Sequence, residues 1–232
     1  MERTRNRLLA SLAQSDLSLL SRHLREVSIE QGQTLEDPGQ MVDRVYFPQS
    51  GLISLIVAMA EDAALEVGAV GHEGAIGLAA GLGSRISFIR ALVQVSGTAL
   101  YIPLSKFQAA ASRSPRIRAM IARYGELTLG EIQQTAACNG LHDVSSRLCR
   151  WLLQTSDRTE SDIIPFTQEF LGEMLGVQRT TISRVVGELH AAGLVDTHHG
   201  QIEIVNRAGL RKETCECYEI VRKHIDRLFA KA

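Results

Sequence analysis

The chain has 232 residues, of which 45% are hydrophobic, enough for one large domain or two ordinary ones with real cores. Its 25 Lys and Arg against 26 Asp and Glu leave a formal charge of −1, which excludes a globally basic nucleic-acid binder; any such surface must concentrate positive charge on one face. No stretch reaches the roughly 18 apolar residues of a membrane span, and four cysteines at irregular spacing indicate a reducing compartment rather than a disulfide framework.

The N-terminus, MERTRNRLLASLAQSD, is basic and then briefly apolar. Ser11 and Gln14 break that run and helical periodicity continues beyond it, so it reads as a cytoplasmic helix and not a signal peptide. Leu8, Leu9, Leu12, Leu17, Leu20 and Leu24 predict one or two short amphipathic helices over 4–24. From Val27 the period changes to two, as in VSIEQGQTL. Short alternating segments then follow, broken by Pro38-Gly39, Pro48, Gly51, Gly68, Gly71, Gly74, Gly77, Gly81, Gly83 and Gly97. Several short strands with frequent turn residues predict a barrel or jelly roll over about 27–105.

Helix returns after Pro103. Ser114 as N-cap with Pro115 at the first helical position is a strong start signal, and few breakers follow up to Asn139. Ile117, Ile121, Tyr124, Leu127 or Thr128, and Ile132 recur at steps of three to four. A helix of that length exceeds what one small domain needs. Ile117, Ile121, Tyr124 and Thr128 are therefore expected to pair with a second copy. A further helix, from about Asp143 to Thr155, has Asp143 as its N-cap and carries Val144, Leu148, Trp151 and Leu152. Residues 156–164 read as a polar connection.

The stretch 167–191 carries the most specific signal. Phe170, Leu171, Met174 and Leu175 mark one short helix, stopped by Gly176. Ile182, Val185, Val186 and Leu189 mark the buried stripe of a second helix. Gly172 suits the close crossing of a helix-turn-helix. The opposite face offers Thr180, Arg184, Gly187 and Ala191, flanked by Thr181 and Ser183, with Gln178 and Arg179 at the tip. Arg, Gln and Thr are the side chains that match guanine, adenine and thymine edges in the major groove. After Gly193, LVDTHHGQIEIV has the period-two pattern of a hairpin attached to a recognition helix, a wing. His198 and His199 at its tip are further candidates for contact with DNA. A last amphipathic segment is expected over 208–231.

This order of elements resembles the Crp/Fnr family of bacterial transcription regulators over nearly the whole chain. The carrying segments are Ser114-Pro115, Leu141-His142-Asp143-Val144 with Arg147-Leu148, Thr167-Gln168-Glu169 leading to Leu175-Gly176, and Arg179-Thr180-Thr181-Ile182-Ser183-Arg184. The last is similar to the family's Ser-Arg-Glu-Thr-Val-x-Arg core. The resemblance implies an α+β chain in three parts: a jelly-roll, cyclic-nucleotide-binding-like domain (1–112), a dimerisation helix (113–139) and a C-terminal winged helix-turn-helix domain (140–232). It also implies a homodimer on pseudo-palindromic double-stranded DNA, with RNA polymerase as a further candidate partner. Arg179 and Arg184 match the two family arginines that contact bases or nearby phosphates. Thr180 replaces a glutamate of the cyclic-AMP-responsive members, so the half-site read should differ at that base pair. Gln178 replaces the usual Ser.

The ligand residues of those members are missing. Their Gly-Glu-Leu turn corresponds to Gly74-Ala75-Ile76-Gly77. No Arg-Ser pair follows Arg85, and Ile132 and Gln133 stand where the family has hydroxyls. An unpaired desolvated polar group costs about 1–3 kcal/mol, so cyclic AMP is not the expected effector. An N-terminal region without cysteine lacks the ligands of an iron–sulfur cluster. His72 alone is expected to be structural rather than a haem ligand. Cys215 and Cys217, two apart on one helix, would point away from each other, so no metal and no cofactor are expected. No catalytic constellation, H-E-x-x-H run or phosphate loop occurs, which excludes the common enzyme classes. The alternative to a DNA-binding regulator with an unknown effector is a small-molecule- or protein-sensing module whose DNA binding is secondary.

Overall fold

The computed structural model describes residues 4–59, 64–83, 85–198 and 200–230. Two short helices, α1 (Arg7–Ser11) and α2 (Gln14–Ser21), precede seven strands: β1 (Arg25–Ile29), β2 (Thr34–Glu36), β3 (Arg44–Pro48), β4 (Leu52–Ala58), β5 (Ala64–Val70), β6 (Arg90–Val95) and β7 (Gly97–Pro103). They form two antiparallel sheets, in the orders β1-β7-β3 and β2-β6-β4-β5. The sheets close over Ile29, Tyr46, Ile53, Leu55, Val70, Val93 and Ala99. This is the expected jelly roll; inward residues alternate along β5 as a half-buried sheet requires, while β3 is buried from Val45 to Pro48, with Val45 and Phe47 facing the helical core and Tyr46 the sheet core. β4 is also buried from Leu52 to Ile56, because its outer face is covered by the C-terminal part of the chain.

Next come α3 (Leu104–Arg113) and α4 (Pro115–Leu141). The Ser114 hydroxyl accepts from the Ile117 amide at 3.1 Å, as an N-cap should. At 27 residues, α4 is about 40 Å long. Here one expectation is corrected. Ile117, Ile121 and Tyr124 do not face outward; they are buried in the protomer's own core with Phe47, Ile102 and Phe107. Half-buried Thr128 donates its hydroxyl to the Tyr124 carbonyl at 2.9 Å. The apolar stripe of α4 is thus the barrel-facing side, and its outward face is a different set of residues.

α5 (Val144–Thr159) follows, with Asp143 accepting from the Ser146 amide at 3.0 Å. It runs one turn further than expected, so part of the predicted polar connection is helical. The reason is Arg158, which is buried and donates to Glu73 of the barrel at 2.9 Å and to Glu131 of α4 at 2.6 Å. The single tryptophan adds a second joint, since Trp151 donates Nε1–H to Glu66 of β5 at 2.8 Å. Then come β8 (Ile163–Ile164), α6 (Gln168–Leu175), α7 (Arg179–Ala191), β9 (Val195–His198), β10 (Gln201–Ile204), α8 (Arg207–Glu213) and α9 (Cys217–Phe229). The single C-terminal segment expected from the sequence is therefore two helices. The connection before α6 supplies a third strand to the wing, in the order β8-β10-β9. Among the described residues, no helix is long and apolar enough to cross a membrane.

Two predictions test these joints. Arg158→Ala leaves Glu73 and Glu131 buried without their cation, and should cost about 3–5 kcal/mol of stability in urea unfolding. Glu66 is pushed up from 4.5 to about 7 by burial, against the pull of Ser54, Trp151, Arg150 and Arg158. The folded chain therefore holds a proton there that the unfolded chain releases, and stability falls as pH rises from about 4.5 to 7, by on the order of 3 kcal/mol from this group. Glu66→Gln should flatten that slope, as read by urea unfolding at about pH 5 and pH 8.

Candidate nucleic-acid interface

The second helix of the helix-turn-helix, α7, is positioned from behind. Leu171, Leu175, Ile182, Val185, Val186 and Leu189 pack with Trp151, Phe166, Val195, Ile202 and Leu210 in one core. Phe166 stacks on Phe170 at 4.7 Å and meets Trp151 edge-on at 5.4 Å, geometries that aromatic quadrupoles favour. Thr167 caps α6 by accepting from the Phe170 amide at 3.2 Å. Gly176 ends the helix with φ +64°, the left-handed conformation that glycine adopts without strain. A side chain at Gly172 would place its Cβ 2.8 Å from the Val177 carbonyl oxygen. That close approach is why the turn between α6 and α7 can be so tight.

Arg147 fixes the same turn and was not singled out by side-chain pattern. It is buried and donates to the Leu175 carbonyl at 2.5 Å and to Asn139 of α4 at 3.1 Å. One guanidinium thus satisfies an orphan carbonyl at the end of α6 and ties it to the long helix. Its sequence signal was its place beside Leu148 in the hinge segment.

Of the residues proposed to read DNA, Gln178, Arg179, Thr180, Ser183 and Arg184 are exposed on the outer face of α7, and Thr181 is half-buried. Gln178 occupies the N-cap without a side-chain capping bond, so its amide is free to meet a ligand. Arg184 forms an ion pair with Glu188 at 2.6 Å, one turn along the same exposed face. Ser183 donates at 2.6 Å to Gln168 or at 3.1 Å to the Arg179 carbonyl, so its hydroxyl links α7 to α6 before it offers anything outward. In the wing, His198 lies 3.1 Å from Asp196, which also meets His190 of α7 at 3.3 Å. The Thr197 amide, helped by both imidazoles, holds the Asp196 carboxyl below its ordinary range. His199 lies outside the described residues.

Between the wing and the N-termini of α6 and α7 runs an open cleft of about 410 Å³, lined by Thr167, Gln168, Arg179, His198, Gly200 and Gln201, among others. Two helix N-termini, an arginine and a glycine turn at one cleft suit an anionic backbone. Glu169 also lines it and opposes that charge.

The cysteines depart most from expectation. Cys215 is not on a helix; it lies in the link between α8 and α9, and Cys217 opens α9. The two therefore converge on Cys138 and His142 at the end of α4, with the four ligand atoms within 4.8 Å of one another.

The comparisons agree with this geometry. The Crp-like helix-turn-helix domain family matches residues 146–213. No curated protein matches the chain. Among solved structures, FixK2 from Bradyrhizobium japonicum is 16% identical with a TM-score of 0.71, covering 83% of this chain and 98% of its own. The c-di-GMP-responsive global regulator CLP of Xanthomonas campestris is 19% identical with a TM-score of 0.68, over 83% and 99%. A transcriptional regulator of the CRP/FNR family from Thermus thermophilus is 23% identical with a TM-score of 0.66, over 81% and 97%. Residues 146–213 match the Crp-like helix-turn-helix domain family, and the chain as a whole has the fold of these solved structures, a jelly roll joined through a long helix to a winged helix-turn-helix.

Proposed function

We propose that this chain is a DNA-binding transcription regulator that acts as a homodimer on a pseudo-palindromic site and answers to an effector other than cyclic AMP. The observation that carries the reading is the two-faced α7. Its inner stripe is buried, while Gln178, Arg179, Thr180 and Arg184 stand exposed in a row beside the wing cleft. In this reading α7 enters the major groove, the cleft holds the phosphate backbone, and base contacts come from Arg179, Thr180 and Arg184. Arg184 exchanges Glu188 for a base edge. Ser183 is a positioning residue that holds α6 and α7 together.

The dimer forms through the outward face of α4. Ala122, Gly125, Leu129, Gln133, Ala136 and Gly140 recur there at steps of three and four and are all exposed, and Leu129 is 56% exposed. Small residues around one leucine let two such helices approach closely, and a two-fold pair places two reading helices on successive half-sites.

Two features support an effector without a cyclic phosphate. The turn that corresponds to the family's ribose-binding one carries buried Ala75 and Ile76 and no carboxylate to meet a ribose hydroxyl. The cleft of about 240 Å³ beside Ser87 is lined by Glu36, Asp37 and Asp43, with Arg44 paired to Asp43 as its basic side chain, a set acidic on balance and ill suited to a phosphate.

Selection of bound DNA from a random library, with and without a metabolite extract, tests the reading. A palindromic motif supports it. Loss of any motif under both conditions would favour the sensing module whose DNA binding is secondary. Arg184→Ala should cost about 1–3 kcal/mol of specific affinity in a gel-shift titration and leave the dimer intact. Leu129→Glu should convert the dimer to folded monomer in sedimentation, whereas Tyr124→Glu, by burying a charge, should unfold the protomer.

A further inference from the structure

Three of the four cysteines meet away from the DNA-reading surface. Cys138 lies in the last turn of α4, His142 caps that helix, and Cys215 and Cys217 arrive from the corner between α8 and α9. The three thiols form a buried cluster of their own, with no aliphatic side chain among its buried members. Cys138 Sγ lies 3.6 Å from Cys215 Sγ, and Cys217 Sγ lies 3.6 Å from His142 Nδ1. A tetrahedral zinc site with bonds of about 2.3 Å to sulfur and about 2.0–2.1 Å to nitrogen has ligand-to-ligand edges of about 3.6–3.8 Å. The two distances fall at that spacing. A two-iron core holds two ligands on each iron and a four-iron core one on each, so neither keeps all four ligand atoms as close together as the 4.8 Å found here.

The surroundings are those of a ligand set rather than of packed thiols. His142 Nε2 faces the Glu216 carboxylate at 3.3 Å, while its Nδ1 faces the Cys217 sulfur. A carboxylate behind a histidine in this way orients it for a metal. Gln134 donates to Cys217 Sγ at 3.1 Å, a bond that a thiolate accepts better than a thiol. Arg147 and Arg150 both act electrostatically on Cys138. They offset the single negative charge that three thiolates and a divalent ion would leave.

We propose that Cys138, His142, Cys215 and Cys217 bind one zinc ion, which staples the α8–α9 corner to the hinge between α4 and α5. Asp143 caps α5 next to His142, and Arg147 joins that hinge to the turn before α7. Occupancy of the site therefore bears on where the reading helix stands. This coupling rests on the reading of α7 as the DNA-contacting helix; the metal site itself does not.

The test uses the full chain, purified with a reductant, stripped by a chelator and titrated with Co2+ and then Zn2+. The expected result is one Co2+ per chain, with thiolate-to-metal charge transfer and tetrahedral ligand-field bands that Zn2+ abolishes. Cys138→Ser and Cys215→Ser should each weaken zinc binding at least about a hundredfold, Glu216→Gln about 10–100-fold, and Cys149→Ser not at all. In the wild-type chain, where no variant can misfold, zinc should slow alkylation of Cys138, Cys215 and Cys217. Co2+ spectra without thiolate bands would overturn the site. So would zinc that gives no protection, or a Cys138–Cys215 disulfide that forms as readily with zinc as without it. Affinity for the selected DNA should change about tenfold or more between zinc-loaded and stripped protein. Equal affinity with zinc bound sinks the coupling alone, and no DNA binding in either state sinks the regulator reading while the Co2+ spectrum still decides the site.

Discussion

The structure depends on one buried cation. Arg158 comes from α5, Glu73 from the turn after β5 and Glu131 from α4, so three parts of the chain are held by a group that none of them can afford to lose. Removing such a guanidinium from water is costly, and only close hydrogen-bonded carboxylates offset the loss. Two carboxylates around one cation are themselves in conflict. Burial pushes the Glu131 carboxyl up, Glu73 adds to the shift, and Arg158 pulls it back. The network is a specific joint rather than a large source of stability. It fixes the last turn of α5 on the barrel, and with it the start of everything that reaches α7.

Around that joint the chain builds a short mechanical line. Trp151, about two turns before Arg158, reaches Glu66 on one side and the Phe166 ring on the other. Arg207 reaches Ser156 at 2.7 Å and pairs with Asp157, whose second oxygen accepts from the Tyr218 hydroxyl at 2.9 Å. Thus α5 carries the barrel on one face and the helix-turn-helix, α8 and α9 on the others. A displacement of α5 against α4 must move α7, because Arg147 links α5 to both Asn139 and Leu175. Packed interfaces with a few discrete polar joints respond to a ligand by switching arrangement more readily than by bending.

The sequence made some of this legible and concealed the rest for physical reasons. Local signals are decisive where the chemistry is local: the Ser114 and Asp143 caps, the left-handed Gly176 and the apolar stripe of α7 all stand where the pattern places them. Periodicity reveals that a helix has an apolar face but not whose core that face enters, which is why Ile117, Ile121 and Tyr124 turn inward. Polarity misled at 156–159, because a sequence does not show that Arg158 has two distant partners. The wing's third strand, Ile163–Ile164, is only two residues long and has no period of its own. Of the interface residues, those facing outward on α7 were legible, while the supporting Arg147 and Gln168 take their roles from contacts many residues away. The cysteine cluster was hidden by the assumption of one continuous helix through 215–217, where the helix in fact starts at Cys217.

The distribution of charge explains why two copies matter to the proposed function. Arg147, Arg150 and Arg158 are buried, and Arg207 is engaged with Asp157 and Asp162. In a chain of formal charge −1, that leaves the reading face with Arg179 and Arg184, set among Glu169 and Glu188. Affinity for DNA rises with the number of phosphates neutralised, and a surface so sparsely basic neutralises few. A single copy would depend on helix N-termini and a handful of base contacts. A pair joined along α4 makes the second half-site contact intramolecular, so its effective concentration supplies what the missing charge does not. In the proposed dimer, α4 carries the pairing face and α5 carries α7, so the hinge between them sets whether both α7 helices reach the same duplex.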